Sequence, residues 1–153
     1  MFPTRILLAT DGSPGAEGAV EAAVELSTDT GSELHVLRSV SMVVEPPYAR
    51  MATKDQVGGM LENRKLRAVV ALDEQVGVVG KLGGEVADSY YREGKLDREA
   101  VRLAEELDAG LIVTGGREPG RAWKTLARIL PFLGDPAERT LHRSRRPVLV
   151  VRA

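Results

Sequence analysis

Short apolar runs alternate with helical patterns along the whole chain, and that alternation narrows the fold more than any other feature. Residues 5–10, Arg5-Ile-Leu-Leu-Ala-Thr10, form a continuous apolar run of the kind a strand shows when both its faces are buried. A helical face follows in Ala16, Ala19, Val20, Ala23, Val24 and Leu26, and Gly31 stops it. Residues 34–37 read as a second strand, and residues 40–53, with Pro46 and Pro47, as a loop. The spacing of Val57, Leu61, Ala68, Leu72 and Val76 predicts a helix over 54–76. Gly58 and Gly59 weaken its start, each interior glycine costing roughly 1 kcal/mol against alanine. Residues 85–91 are less apolar and suit an edge strand, with a turn at 92–94. Leu96, Ala100, Leu103, Ala104 and Leu107 mark an amphipathic helix. The apolar run 111–113 stops at Gly115-Gly116, and Asp135-Pro136 opens another helical pattern as an N-cap followed by proline at the first helical position. Residues 147–151, Pro147-Val-Leu-Val-Val151, make a fifth strand.

Strands that alternate with helices argue a parallel sheet joined by right-handed crossovers. The predicted fold is α/β, a doubly wound open parallel five-stranded sheet in order 3-2-1-4-5 with helices on both faces, in one domain over residues 1–153. The switch point then lies between strands one and four, whose carboxyl ends carry Thr10-Asp11 and Thr114-Gly115. Ligands of such sheets bind at that point. A helix N-terminus beside it favours an anion, so Asp11, Gly115 and the Asp135 helix start are expected around one crevice.

Composition excludes several chemistries. The chain has no cysteine, so disulfides and thiolate metal sites are out and a reducing compartment is expected. His35 and His142 are far apart and form no ligand pair, so no metal site is expected. A formal charge of −1 gives no bulk attraction to nucleic acid or anionic membrane. Residues 1–5 lack a signal peptide's layout, and no apolar run approaches the ~20 residues of a membrane span. The expected location is the cytoplasm.

The remaining motifs have plain readings. Gly115-x4-Gly120-Arg121-Ala122 imitates a P-loop but lacks its Lys and Ser/Thr. Ser13, before Pro14, reads as a helix cap rather than a nucleophile. Asp11 suits either a turn that bonds its own backbone or a ligand contact. Trp123 and Phe132 read as local packing, and His35 as a core or crevice histidine. His142, Arg143, Arg145 and Arg146 suit the dipole at a helix end.

Assembled, these residues resemble the single-domain universal stress protein family. The likeness runs over nearly the whole length. It is carried by Ile6-Leu-Leu-Ala-Thr-Asp-Gly-Ser13, by Leu34-His-Val36, by Glu93-Gly94 with the helix into Asp108-Ala-Gly-Leu-Ile-Val-Thr-Gly115, and by Gly134-Asp-Pro-Ala-Glu-Arg139 through Arg146-Pro-Val-Leu-Val-Val151. The resemblance implies a regulator rather than an enzyme, an AMP or ATP ligand or none, and a homodimer joined through residues 147–151. It implies that Asp11 meets the ribose and the Val36 backbone the adenine, with Ala9 and Thr10 beside them. The family's phosphate motif is G-x2-G-x9-G-[S/T]. Gly115 matches its first glycine, Glu118 stands at the second unless Gly120 replaces it across a shifted loop, and Gly134 is the third after a longer loop that carries Arg117. Asp135 replaces the Ser/Thr. Two acids on the phosphate half make triphosphate binding weak or absent, while Arg117, Arg121, Lys124 and Arg128 could offset them.

Three functions follow in order. The first is a regulatory module binding an adenine nucleotide. The second is a nucleotide-independent member whose dimer is a protein-interaction device. The third, an enzyme of a related nucleotide-binding fold, would need an S-G-G-x-D-S or H-x-G-H loop after strand one, and Thr10-Asp-Gly-Ser13 is neither.

Overall fold

Past Arg5, no residue of strand β1 (Arg5–Thr10) meets water to any extent, and Ile6, Leu7, Leu8 and Ala9 are fully buried. A strand sends successive side chains to opposite faces, so a run with no polar member needs a layer on each side. The computed structural model, which describes residues 2–10, 16–116 and 136–152, shows both layers. Ile6 and Leu8 pack on Ala19, Val20, Ala23 and Val24 of α1 (Ala16–Thr30) and on Leu72 and Val79 of α3 (Lys54–Lys81). Leu7 and Ala9 face the other way, onto Leu96, Ala100, Leu103 and Ala104 of α4 (Leu96–Glu106).

The other strands are β2 (Glu33–Val40), β3 (Val86–Glu93), β4 (Leu111–Gly116) and β5 (Val148–Arg152). They form a five-stranded sheet in order β3-β2-β1-β4-β5 with every pair parallel, as the alternation of patterns requires. A short α2 (Tyr48–Met51) lies between β2 and α3, and α5 (Pro136–Arg143) packs on α4 and β4.

Several boundaries differ from the sequence reading, each for a local reason. Helix α3 runs past Val76 to Lys81 because Val79 is drawn fully into the core, and Gly83, at φ 85°, makes the left-handed turn that follows. Its glycine-weakened start is held by a capping box: the Thr53 hydroxyl accepts from the Gln56 amide at 3.2 Å, and the Gln56 side chain accepts from the Thr53 amide at 2.9 Å. Strand β2 extends to Val40 because β3 pairs with it throughout, Val40 beside Glu93, so Arg92 and Glu93 lie in a strand where a turn was expected. Gly115 and Gly116 do not end β4; they are its last residues, paired with Val151 and Arg152. Helix α2 falls inside the segment read as loop. Strand β5 begins at Val148, and Pro147, which has no N–H to give a ladder, contributes its carbonyl to the Ile112 amide at 3.0 Å. The expected Ser13–Pro14 cap, the packing of Trp123 and Phe132, and the Asp135 cap lie outside the described residues.

Polar contacts fasten α4 and α5. Two arginines from elsewhere in the chain hold carbonyls at and just past the C-terminus of α4, where the helix supplies no partner. Arg5 donates from Nη1 to the Leu107 carbonyl at 2.9 Å. Arg146 donates from Nη1 to the Ala109 carbonyl at 2.7 Å and to Asp108 Oδ1 at 3.0 Å, where Asp108 sits in the left-handed region at φ 51°. At its other end α4 presents the carboxylate of Asp97, 1% exposed, to α5. Arg143 Nε lies 2.7 Å from Asp97 Oδ2, and Arg139 Nε 3.8 Å from Oδ1, too far for a hydrogen bond. The basic last turn of α5 therefore does more than complement its dipole. On the far side of α4, Arg92 Nη2 meets Glu106 Oε2 at 2.8 Å, and that hydrogen bond holds the Glu106 carboxyl below its ordinary value.

Two outcomes follow. Arg143→Met leaves the Asp97 carboxylate buried with a cation only at 3.8 Å. It should lower stability by about 2 kcal/mol or more, read from the urea midpoint at unchanged slope. Glu106→Gln tests the pH term. A carboxyl whose folded pKa is depressed contributes stability above its unfolded value, 4.5, and loses it as pH falls through the lower folded value. The loss of stability caused by Glu106→Gln should accordingly be present at neutral pH and disappear in acid, read from denaturation midpoints across that range.

Candidate functional site

An open parallel sheet parts above the carboxyl ends of two neighbouring strands whose helices leave to opposite faces. Here those strands are β1 and β4, in register from Ile6 beside Leu111 to Ala9 beside Thr114. Helix α1, after β1, packs on the Ile6–Leu8 face, whereas α5, after β4, packs on the α4 side. The crevice so formed has Thr10 at the end of β1 and Gly115-Gly116 at the end of β4.

Its floor is polar and closely packed. Thr10 is 2% exposed and donates from Oγ1 to Gln75 Oε1 of α3 at 3.2 Å. Thr114 is 1% exposed, and its Oγ1 has no hydrogen-bond partner among the described residues. A buried hydroxyl without a partner is uncommon and costly. Gly115, partly exposed, and Gly116, buried, put no side chain at the end of β4, which is the residue type that close approach to a backbone requires.

Of the residues expected here, Ala9, Thr10 and Gly115 come together. Val36 lies one strand away and deeper: the register sets Leu8 beside Val36, and Arg38 beside Thr10. Val36 is fully buried between β1 and β3. Asp11, Arg117, Gly134 and Asp135 lie outside the described residues. The sequence reading placed Thr114 with Gly115 at the strand end without giving it a role, and did not single out Gln75 or Arg38. Thr114 carried a signal, as a polar residue closing an apolar run before Gly115. Gln75 carried none, because a glutamine on a half-buried helix looks the same whether or not it reaches a strand end.

His35 belongs to the core and not to the crevice. Its Nε2 lies 3.1 Å from Glu33 Oε2 and its Nδ1 3.1 Å from the Tyr90 hydroxyl, with ring centroids 5.9 Å apart. Hydrogen bonds from His35 and then Arg5 hold the Glu33 carboxyl below its ordinary value. Burial, aided by the neighbouring charge of Asp88, pushes the Tyr90 phenol up. Among the described residues no three His, Cys, Asp or Glu side chains converge as metal ligands, and no helix is long and apolar enough to cross a membrane.

The comparisons agree with this architecture. No curated protein matches the chain. A universal stress protein family protein from Burkholderia pseudomallei is 26% identical over 97% of this chain and 96% of its own, with a TM-score of 0.67. A universal stress protein solved in complex with cAMP is 24% identical over 97% of each chain, with a TM-score of 0.66. The universal stress protein from Archaeoglobus fulgidus, solved in complex with dAMP, is 20% identical over 99% of this chain and 98% of its own, with a TM-score of 0.60. The model of the Universal stress protein family matches residues 3–152. A match of that span, on the sheet order just described, means that the chain belongs to the universal stress protein family.

Proposed function

We propose that the chain is a regulatory module that takes an adenosine monophosphate-like ligand in the crevice between β1 and β4, and acts through binding rather than catalysis. The observation that carries the reading is the juxtaposition of Thr10 with Gly115-Gly116 at the switch point, above a buried Thr114 hydroxyl that lacks a partner among the described residues. The two relatives solved with cAMP and dAMP carry ligands with a single phosphate. The acids at Glu118 and Asp135 weigh against a longer phosphate chain. At ~5 Å and an effective dielectric of ~20, each carboxylate–phosphate pair costs roughly 3 kcal/mol before screening. The module works as a homodimer through residues 147–151, in the cytoplasm. Strand β5 is a sheet edge with Leu149 exposed, and an open edge invites an isologous antiparallel partner.

One observation favours a second reading, a nucleotide-independent interaction module: the burial of Val36 leaves its main chain no exposure to an adenine.

Calorimetry on nucleotide-stripped protein separates the two. AMP should bind, ATP should bind at least about tenfold more weakly, a difference of about 1.4 kcal/mol or more, and Asp11→Ala should abolish the AMP signal. Glu118→Gly with Asp135→Ser should create ATP binding. A low-micromolar dissociation constant for ATP in the parent, lost on Asp11→Ala, would overturn the monophosphate assignment. No heat with any adenine nucleotide, and none released on extraction of the purified protein, would establish the second reading.

A further inference from the structure

Helix α3 buries one side against the sheet and leaves a patterned opposite side. At about 100° per residue, Ala68, Leu72 and Val79 mark the buried stripe, and Val70 stands about 160–180° from it. That side carries exposed apolar residues among its charges: Leu66 is 66% exposed and Val70 54%, with Val69, 50% exposed, on the flank about 100° from Val70. Asn63, Arg67, Asp73, Glu74 and Gly77 complete it, all exposed.

The charges on this stripe are arranged for self-pairing. Arg67 lies about 60° and Glu74 about 40° to one side of Val70, while Leu66 and Asp73 lie about 40° and 60° to the other. A two-fold axis at Val70, perpendicular to the helix, sets an antiparallel copy so that each position n is level with 140 − n on its own flank. On that flank Arg67 comes within one residue rise, about 1.5 Å, of level with Glu74 of the partner subunit, twice by symmetry, and Val70 meets its own copy. A helical side chain leans toward the N-terminus of its helix, which carries Leu66 away from level with Asp73 of the partner subunit and into the gap between that residue and the partner subunit's Gly77. Among the described residues, no other part of the chain covers the position a side chain would take at Gly77. A parallel two-fold arrangement would instead set Glu74 beside Asp73 of the partner subunit and Arg67 beside its Leu66, a like-charge pair and an unpaired cation, so the charge order selects the antiparallel one. Among the described residues, neither Arg67 nor Glu74 makes an ion pair within the chain. We infer that the outward face of α3 is a self-association surface, on which a second copy of the chain docks antiparallel about a two-fold axis through Val70. This contact is separate from the β5 edge and does not depend on the ligand.

The absence of cysteine makes the test direct. Helix axes 8–10 Å apart would leave the two Val70 Cα atoms about 3.5–5.5 Å apart, overlapping the range of a disulfide. Val70→Cys should therefore cross-link to dimer under mild oxidation of the full chain at tens of micromolar. Asn63→Cys should not, since its two copies lie about 21 Å apart along the helices. In the Val70→Cys background, Arg67→Glu or Glu74→Arg should each lower the cross-linking rate about tenfold, and the two together should restore it, because the swap rebuilds the pair. Unchanged circular dichroism checks that each variant is folded. Equal cross-linking at positions 63 and 70, or a double swap no faster than either single change, would overturn the inference.

Discussion

Strand β1 has no side on which a polar residue would be tolerated. Ile6 and Leu8 belong to one core and Leu7 and Ala9 to the other, so the same stretch of backbone ties the two layers together. Fully burying a side chain of this size is worth about 1.5–3 kcal/mol. The strand can collect that only if α1 and α3 cover one face while α4 covers the other. Parallel neighbours with helical crossovers are the arrangement that supplies both covers. The sheet order, the two cores and the position of the crevice all depend on this constraint. The end of β1 is where the covering elements must part.

Polar contacts set the angles that apolar packing leaves loose. Both ends of α4 are held from elsewhere in the chain: Arg5 on the Leu107 carbonyl at its C-cap, Arg146 on the Ala109 carbonyl just beyond it, and Arg143 on Asp97 in its first turn. These contacts span long sequence separations and join β1, α4, α5 and the approach to β5. Since α5 packs on β4 as well as on α4, fastening it also fixes its place against that strand. The Thr10–Gln75 bond does the same for α3 on the other face. Much of the site's geometry is thus set by residues that would not touch a ligand. That is how a rigid scaffold positions a binding edge.

The fold was legible because burial periodicity is a local property. Residues 5–10 and 111–113 announce strands buried on both sides, and residues 96–107 announce a helix buried on one. The boundaries that moved did so through partners far along the chain: β3 extended β2 to Val40, β5 kept Gly115 and Gly116 in a strand, and the core claimed Val79 for α3. Glycine read in isolation marks a turn, but a ladder on a neighbouring strand overrides that preference.

The site divides along the same line. Sequence alone determined that Ala9, Thr10 and Gly115 stand at strand ends, because strand ends are visible as the limits of apolar runs, and it determined the family through motifs spread over the chain. Only the tertiary structure decided that Gln75 reaches Thr10, that the Thr114 hydroxyl is buried without a partner among the described residues, that Val36 lies mid-sheet while Arg38 is level with Thr10, and that Asp97 is the buried partner of Arg143. Each of these depends on how far one element slides along another. That offset is set by the sum of many weak packing contacts between distant segments, and no local pattern of residues encodes it.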